Sequence, residues 1–378
     1  MNENIINILC LFIKSLFTIH NSRTMQLEVQ NTIQQTENAV EIVFNQPQNA
    51  PLSYKSGQFL TLIIKVGKEE FRRSYSICSS YATQQSTISV LVKRVEGGKI
   101  SNLLNNSIKK GDLIDVLAPT GTFAPEILPN NQYFLFAGGS GITPMMSILQ
   151  SVLHTQPTSE VCLIYASRNE ENILFRERLE NLQNEFGNKL KIFHVLSRPS
   201  TTWTDNGGFT GRLIADVVEK IMKENTSENR AENPLTLSKQ YLMCGTSGMM
   251  ETITHTFEKL GLQGLKKESF AVDFTQKTVP VEFSKERITQ NITVIYNGNT
   301  YNFDVNPSQT ILEAAMKKNI DLPYSCQSGL CTACLGKCTQ GAIKNMETDA
   351  LTDKEIAEGY VLTCSAHPIS TGVVIEID

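Results

Sequence analysis

Hydrophobic and polar residues alternate along residues 25–125. Apolar side chains occupy every second position in runs such as "AVEIVF", "FLTLIIKV" and "TISVLVKRV", and glycine, proline and serine separate these runs. A period of two is typical of strands, and many short strands joined by turns favour an antiparallel barrel or sandwich. We therefore predict an antiparallel β-barrel over residues 25–128.

The hydrophobic pattern changes near residue 130. Short apolar runs then alternate with segments of helical periodicity. The first apolar run is "YFLFAGG" at 133–139, and the helical segments include "MMSILQSVLH" and "MMETITHTFEKLG". Strands and helices that alternate in this way indicate a parallel sheet covered by helices. We predict an α/β domain over residues 129–275.

The last part of the chain has a third pattern. Residues 276–290 follow neither period and are interpreted as a linker. The segment "NITVIYNGNTYNFDV" predicts two strands joined at Asn297 and Gly298, which is a strong hairpin signal, and "TILEAAMKKN" predicts a short helix. These elements indicate an α+β domain over residues 291–378.

Residues 1–24 are predicted to be a disordered leader. The apolar stretch "IINILCLFIKSLFTIH" is interrupted by Lys14, is too short to span a bilayer and precedes no small-residue cleavage site. We expect no firm membrane anchor and predict a cytoplasmic protein, although a leader that associates with membranes remains an alternative.

Composition narrows the class of function. The 378 residues are 40% hydrophobic and 19% charged, which indicates a globular protein of two or three domains. The net charge is −4, and acidic side chains outnumber basic ones two to one in residues 289–378. A nucleic acid partner is not expected, since it would require a basic face. Nine cysteines without a secretory signal favour metal or redox chemistry over disulfides.

Four cysteines have the spacing of an iron–sulfur site. Cys326, Cys331 and Cys334 follow the pattern C-x4-C-x2-C, and Cys364 comes later, within the strand-like "YVLTCS". This is the plant-type 2Fe–2S spacing. Structural zinc is the alternative, but zinc sites usually pair two C-x2-C knuckles, and this segment contains one. Cys338 does not fit the spacing and is interpreted as a small apolar residue of a strand.

Two loops of the predicted barrel are candidates for cofactor contacts. The tetrapeptide "RSYS" at 73–76 closes a predicted strand, and "VKRVEGGKIS" at 92–101 precedes a helix-like segment. Glycine amides at a helix N-terminus can hold a pyrophosphate. Taken alone, a surface strand end and a glycine hairpin turn explain these loops as well.

Two loops of the α/β domain lie where such sheets bind ligands. "AGGSGITP" at 137–144 and "MCGTSGMM" at 243–250 each stand between a strand and a helix. Loop amides and the helix dipole favour phosphate there, and ligands bind at the carboxyl ends of the strands. Cys244 lies in the second loop, and the simpler interpretation of this residue is a buried, inert cysteine.

The order of these motifs resembles a known family. R-x-Y-S, G-G-x-G-I-x-P and C-G-x-x-x-M, spaced over residues 25 to 275, resemble the ferredoxin–NADP⁺ reductase superfamily. Residues 291–378 resemble plant-type ferredoxins, which implies a β-grasp fold. The whole chain looks like a reductase component of a multicomponent oxygenase. The resemblance implies electron transfer from NADPH or NADH through FAD and a 2Fe–2S cluster to a partner oxygenase.

The resemblance also implies roles for individual residues. The implied FAD contacts are Arg73, Ser74, Tyr75, Ser76, Gly98, Lys99, Ser101 and Phe270. The implied nucleotide contacts are Gly139, Ser140, Gly141 and Thr143 for the dinucleotide, Ser197 and Arg198 for a 2′-phosphate, and Phe209 for adenine. The implied catalytic residues are Ser76, Cys244 and Glu268, and the implied cluster ligands are Cys326, Cys331, Cys334 and Cys364.

Cofactor choice and client stay open at this point. The Ser197-Arg198 pair favours NADPH, but Gly207 stands where a second arginine is expected. A stand-alone reductase that serves a desaturase or a haem oxygenase would have the same domains. A redox-sensing iron–sulfur protein is the alternative from another class.

Overall fold

The protein is described here from a computed structural model. The described residues are 24–49, 51–83, 86–201, 203, 208–225, 237–270, 288–324, 327, 329, 331–346, 350–351 and 353–377. Nearly all of the predicted leader and most of the predicted linker lie outside the described residues. Within these ranges, no helix has the length and apolar character needed to cross a membrane.

The N-terminal part of the chain forms an antiparallel β-barrel. Its strands are β1 (Thr24–Thr36), β2 (Ala39–Asn45), β3 (Phe59–Val66), β4 (Glu69–Ser76), β5 (Thr87–Lys93) and β6 (Leu113–Thr120). The strand order is β4-β3-β6-β1-β2-β5, and a bridge between Ile77 and Val90 joins the two outer strands. Helix α1 (Lys99–Ser107) packs its buried Ile100 and Leu104 on the barrel core. The predicted barrel is confirmed.

The middle part forms a parallel sheet with helices on both faces. Its strands are β7 (Asn131–Gly138), β8 (Glu160–Ser167), β9 (Leu190–Leu196), β10 (Phe209–Thr210), β11 (Ser238–Gly245) and β12 (Leu265–Ser269). Its helices are α2 (Ile142–Thr155), α3 (Arg176–Phe186), α4 (Ala215–Glu224) and α5 (Ser247–Lys259). The strand order is β10-β9-β8-β7-β11-β12, and every pair is parallel.

Strand β7 explains why helices cover both faces of this sheet. Its eight residues are all buried, and from Tyr133 onward its sequence is a continuous apolar run instead of an alternation. Tyr133 and Leu135 point into the core formed with α2 and α3, whereas Phe134 and Phe136 point into the core formed with α4 and α5. The central strand thus places its carboxyl end, at Gly138, between two packed layers.

The C-terminal part forms a mixed five-stranded sheet and a separate two-stranded sheet. Its strands are β13 (Gln290–Tyr296), β14 (Asn299–Val305), β15 (Leu335–Gln340), β16 (Ile343–Asn345), β17 (Tyr360–Leu362), β18 (Ala366–Pro368) and β19 (Val373–Ile377), and its helices are α6 (Ile311–Lys317) and α7 (Asp353–Ala357). Asn297 and Gly298 both have positive φ, as a two-residue hairpin requires. Thr310 and Glu313 form a capping box that begins α6. The predicted hairpin and helix are confirmed.

One local prediction in this domain is wrong. The sequence predicts Cys364 inside a strand, but β17 ends at Leu362 and Cys364 lies in the turn before β18. The backbone N–H of Thr363 donates to the carbonyl of Cys334 at 3.1 Å. The chain therefore leaves the sheet in order to approach the cysteine loop.

The barrel and the α/β domain share a buried polar interface. The hydroxyl of Ser151 on α2 lies 2.6 Å from that of Ser80 in the barrel, and Ser147 donates to the carbonyl of Ser79 at 2.6 Å. Arg178 on α3 reaches the fully buried Glu41 of β2 at 2.8 Å. These contacts fix the orientation of the two domains around the cleft described below.

Candidate functional site

A large cleft lies between the barrel and the carboxyl edge of the parallel sheet. Its volume is about 1110 Å³. The barrel contributes the loop between β5 and α1, and the α/β domain contributes the ends of β7, β8 and β9 and the start of α5. A cleft of this size at the carboxyl ends of parallel strands is the usual ligand position of an α/β sheet.

The glycine loop after β7 packs too closely for any side chain. A Cβ on Gly141 would lie 2.1 Å from the carbonyl oxygen of Cys244, and one on Gly138 would lie 2.8 Å from the sulfur of Met249. Gly139 has a φ of +53° and, with Gly138, lines the cleft. The glycines therefore bring the β7 loop against β11 and leave backbone amides near the cleft, as phosphate binding requires.

The remaining residues of this loop make local contacts. The Thr143 hydroxyl donates to the carbonyl of Ser140 at 2.9 Å, which supports the first turn of α2. Tyr165, buried on β8, donates its hydroxyl to the carbonyl of Gly139 at 3.2 Å. The predicted loop residues Gly139, Ser140 and Gly141 thus form one rigid turn at the edge of the cleft.

The cleft is lined by cations that the sequence analysis did not single out, among them Lys93, Arg168 and Arg212. Lys93 ends β5, Arg168 follows β8, and Arg212 follows β10. Partial desolvation and the nearby Arg168 lower the pKa of Lys93. Because the three residues come from distant segments, the topology of the two domains brings them together. An anionic ligand fits this cleft.

Of the three residues predicted to contact the 2′-phosphate and the adenine, one lines the cleft and two do not. Ser197 lines the same cleft as Arg168 and Arg212. Arg198 is exposed, and its backbone N–H donates to the carbonyl of Arg168 at 2.7 Å. Phe209 packs its ring 6.4 Å from that of Phe193 and is outside the cleft lining. Gly207 lies outside the described residues.

Cys244 and Glu268 lie side by side at the same sheet edge. Cys244 is fully buried on β11 and pairs in register with Glu268 on β12. Burial, and next the charge of Glu268, raise the pKa of the Cys244 thiol well above its usual value. Burial also raises the pKa of Glu268 to about 8, and its Oε2 atom has no hydrogen-bond partner among the described residues. Phe270, just after β12, is 42% exposed.

The predicted flavin tetrapeptide ends strand β4. Ser74 lies 3.0 Å from the Thr61 hydroxyl, and the exposed Arg73 donates to the carbonyl of Arg72 at 2.7 Å. Burial raises the pKa of Tyr75. The Ser76 hydroxyl is buried and has no hydrogen-bond partner among the described residues. A buried donor of this kind is costly unless a ligand satisfies it, so Ser76 fits a bound cofactor.

The predicted pyrophosphate loop begins helix α1. Gly98 is the N-cap residue, and a Cβ there would lie 2.7 Å from the Ser101 hydroxyl. That hydroxyl accepts a hydrogen bond from the N–H of Val95 at 3.0 Å. Lys99 pairs with Glu69 at 2.6 Å and lies over the ring of Phe71. The loop presents the glycine and the helix N-terminus, while Ser101 holds the turn.

Three of the four predicted cluster ligands are within the described residues. Cys334 and Cys364 are buried, and Cys331 is half-buried. The N–H of Gly329 donates to the sulfur of Cys364 at 3.3 Å. Backbone donors that point at a cysteine sulfur suit a thiolate, so these residues fit an iron–sulfur cluster.

The fourth predicted ligand, Cys326, lies outside the described residues. Among the described residues, no three histidine, cysteine, aspartate or glutamate side chains are placed together so that they could hold a metal ion. Cys338 lies on β15, half-buried, with its thiol 3.2 Å from the carbonyl of Gln340. Its position on a strand agrees with the interpretation of Cys338 as a packing residue.

Comparison with protein families assigns each domain. Residues 26–124 match the oxidoreductase FAD-binding domain, residues 135–255 match the oxidoreductase NAD-binding domain, and residues 294–368 match the 2Fe–2S iron–sulfur cluster binding domain.

Two relatives match this chain over nearly its whole length. A component of the 1,2-phenylacetyl-CoA epoxidase of Escherichia coli (strain K12) is 32% identical over 93% of this chain and 97% of its own length. The chain belongs to this family of oxygenase reductases. The ferredoxin reductase component of 3-ketosteroid-9-alpha-monooxygenase of Rhodococcus rhodochrous is 31% identical to the reductase, over 94% of this chain and 98% of its own.

Solved structures have the same fold. Phthalate dioxygenase reductase superposes on the reductase with a TM-score of 0.57 and 22% identity, and covers 94% of this chain and 98% of its own. An intact type IV self-sufficient cytochrome P450 monooxygenase reaches a TM-score of 0.67 at 18% identity, over 94% of this chain and 41% of its own. The family models together identify the reductase as an oxidoreductase with FAD-binding, NAD-binding and 2Fe–2S domains.

Proposed function

We propose that the reductase transfers electrons from NADPH to the oxygenase component of a phenylacetyl-CoA epoxidase. The observation that carries this proposal is the 32% identity with the Escherichia coli epoxidase component, which extends over all three domains. Cytoplasmic localisation is part of the proposal, as are domain limits of 25–128, 129–275 and 291–378, a linker at 276–290 and a leader at 1–24.

The reaction balances with one nucleotide and two acceptors. One NADPH gives up two electrons and releases one proton, and each electron reduces one one-electron acceptor. When bound, FAD supplies the step between paired and single electrons, and the 2Fe–2S cluster carries the single ones. The protein supplies binding, orientation and exclusion of water.

Barrel residues hold FAD in this proposal. The unpartnered Ser76 hydroxyl donates to the flavin, Tyr75 packs beside it, and Arg73 pairs with a phosphate. Ser74 supports the strand through Thr61. Gly98 and Lys99 lie at the pyrophosphate, Ser101 shapes their turn through Val95, and Phe270 covers the flavin.

Residues of the cleft hold the nucleotide. The turn formed by Gly139, Ser140, Gly141 and Thr143 receives its pyrophosphate. Ser197, with Arg168 and Arg212, receives the 2′-phosphate that distinguishes NADPH from NADH, because all three line the cleft. Arg198 and Phe209 support this end of the cleft from outside its lining.

Cys244 and Glu268 border the reacting atoms, and four cysteines hold the cluster. The Cys244 thiol stays protonated and acts by packing, since burial raises its pKa. Glu268, with a pKa raised to about 8, holds a proton at neutral pH. Cys326, Cys331, Cys334 and Cys364 are the cluster ligands, and Gly329 donates to one of them.

A client assay tests the proposal. The purified reductase, loaded with FAD and cluster, is combined with the oxygenase subunits of a phenylacetyl-CoA epoxidase, and epoxide formation is measured with NADPH and with NADH. We expect turnover that depends on the reductase and is faster with NADPH. A 3-ketosteroid 9α-monooxygenase oxygenase is the matched alternative, because a reductase of that system is 31% identical. Turnover with the steroid oxygenase and none with the epoxidase would contradict the assigned client.

A further inference from the structure

Arg72 joins the strand that carries the flavin residues to the loop that carries the cluster cysteines. It lies on β4 directly before Arg73, and its Nη2 atom lies 3.0 Å from Oδ1 of Asp321 in the C-terminal domain. Its guanidinium also lies 4.8 Å from the ring centroid of Tyr324, two residues before Cys326. One side chain therefore contacts both domains.

The environment of Arg72 is unusual for a surface ion pair. Its side chain is 10% exposed, whereas that of Asp321 is 74% exposed. Glu70 on the same strand accepts from Nε at 3.0 Å. Burial alone would lower the pKa of Arg72, but Asp321 and Glu70 outweigh it and leave this pKa raised. A guanidinium this buried requires its partners, so separating the domains has a larger cost than breaking an exposed pair.

The cleft around Arg72 extends to the cysteine loop. This interdomain cleft, of about 770 Å³, is lined by Thr61 and Arg72 from the barrel and by Thr332 and Ala333, which lie between Cys331 and Cys334. Thr61 in turn contacts Ser74. The cysteine loop thus faces the side of the barrel on which β4 carries the proposed flavin residues.

We propose that Arg72 is a positioning residue that sets the separation of the cysteine loop from the flavin strand. This inference rests on the proposed flavin and cluster sites. Single-electron transfer between the two domains depends on this contact, whereas transfer of two electrons and a proton from NADPH takes place at the nucleotide cleft and does not. Because electron transfer slows steeply with distance, a small increase in this separation is enough to slow reduction of the cluster.

The test separates the two half-reactions in the full-length, loaded protein. Stopped-flow absorbance with NADPH gives the rate of flavin reduction, and freeze-quench EPR gives the rate at which the cluster is reduced. We expect Arg72→Gln to slow cluster reduction by about tenfold or more and to leave flavin reduction within about twofold. Small-angle X-ray scattering of the same samples should show a larger maximum dimension.

Two further variants sharpen the result. Lys65→Gln is the matched control, because it removes a 3.1 Å ion pair with Asp115 that stays within the barrel; neither rate nor dimension should change. The charge exchange Arg72→Asp with Asp321→Arg should recover part of the rate of cluster reduction and the compact dimension. A structural role confined to the barrel would not be rescued by a change at Asp321.

The contrary outcomes are distinct. Cluster reduction within twofold of wild type in Arg72→Gln, or equal slowing of both half-reactions, would overturn the positioning role. If Arg72→Gln does not retain FAD, Asp321→Asn carries the test by the same criteria, since Asp321 is exposed and outside the barrel. If NADPH fails to reduce the cluster of the wild-type protein, the proposed function itself is overturned.

Discussion

Cys244 and Glu268 lie directly opposite each other on the neighbouring parallel strands β11 and β12. Burial raises the pKa of both groups, to about 8 for Glu268. At neutral pH the thiol is protonated and the carboxyl is mostly protonated. The carboxyl ends of β11 and β12 therefore hold a proton on Glu268 and carry no buried charge there.

The raised pKa of Glu268 makes stability depend on pH. Its pKa is about 8 in the folded protein and near the ordinary 4.5 when unfolded, so the folded state binds the proton more tightly. This contribution is present in full below pH 4.5 and is lost as the pH rises through 8. Glu268→Gln should remove the trend and raise stability at pH 8 by about 2 kcal/mol relative to wild type. This is less than the full pKa shift implies, because the side chain of Glu268 is only half-buried.

Thermal unfolding of both proteins between pH 5 and 8.5 measures this effect. Glu258→Gln is the matched control, because Glu258 is 70% exposed on α5. Parallel melting curves for wild type and Glu268→Gln across this pH range would show that Glu268 titrates normally.

Removing the Ser76 hydroxyl should slow flavin reduction without lowering the stability of the flavin-free protein. Its buried hydroxyl has no partner among the described residues, so Ser76→Ala should leave the melting temperature of the flavin-free protein unchanged or slightly higher. The same variant should slow flavin reduction by NADPH by roughly 10- to 100-fold. Ser89→Ala is the control, since its hydroxyl donates to Glu41 at 2.8 Å, and its loss should lower the melting temperature. Normal flavin reduction in Ser76→Ala would exclude the proposed contact.

Arg212 should determine nucleotide preference. It lines the same cleft as Ser197 and Arg168, where a 2′-phosphate would form charge-assisted hydrogen bonds. Arg212→Ala should raise the KM for NADPH by about tenfold while leaving the KM for NADH nearly unchanged. Steady-state ferricyanide reduction with each nucleotide measures both values, and NADH serves as the internal control. Equal changes for the two nucleotides would argue against recognition of the phosphate.

The buried pair between Glu41 and Arg178 should hold the first two domains together. Arg178 reaches both carboxylate oxygens of Glu41, at 3.2 and 2.8 Å, from the other domain. Arg178→Met leaves a buried carboxylate without its cation and should destabilise the protein by about 3 kcal/mol in denaturant unfolding. Arg176→Met removes the exposed pair with Glu180 on the same helix and should cost less than about 0.5 kcal/mol. Similar losses in both variants would contradict the special role of the buried pair.

The sequence predicts local elements well because their signals are local. The run "FLTLIIKV" is strand β3 in full, and Asn297-Gly298 forms the expected hairpin turn. In each case alternation, an apolar run or turn chemistry is contained within the segment itself.

The sequence does not show which distant residues come together in the folded protein. Lys93, Arg168 and Arg212 belong to three separate segments, and the packing of the barrel against the parallel sheet brings them to one cleft. The position of Arg168 and Arg212, each just beyond a strand of the parallel sheet, is the signal that could have identified them. The apolar run "YVLTC" predicts a strand at Cys364, but the turn found there depends on a hydrogen bond from Thr363 to the distant Cys334.

The most direct test of the electron path is Cys331→Ser. With wild type, NADPH should reduce both chromophores under anaerobic conditions and support reduction of the oxygenase component. The variant should keep NADPH-dependent ferricyanide reduction by the flavin near the wild-type rate and lose reduction of the oxygenase. Equal loss of both activities, or full oxygenase reduction without the cluster, would contradict the assigned path from NAD(P)H through FAD and the 2Fe–2S cluster.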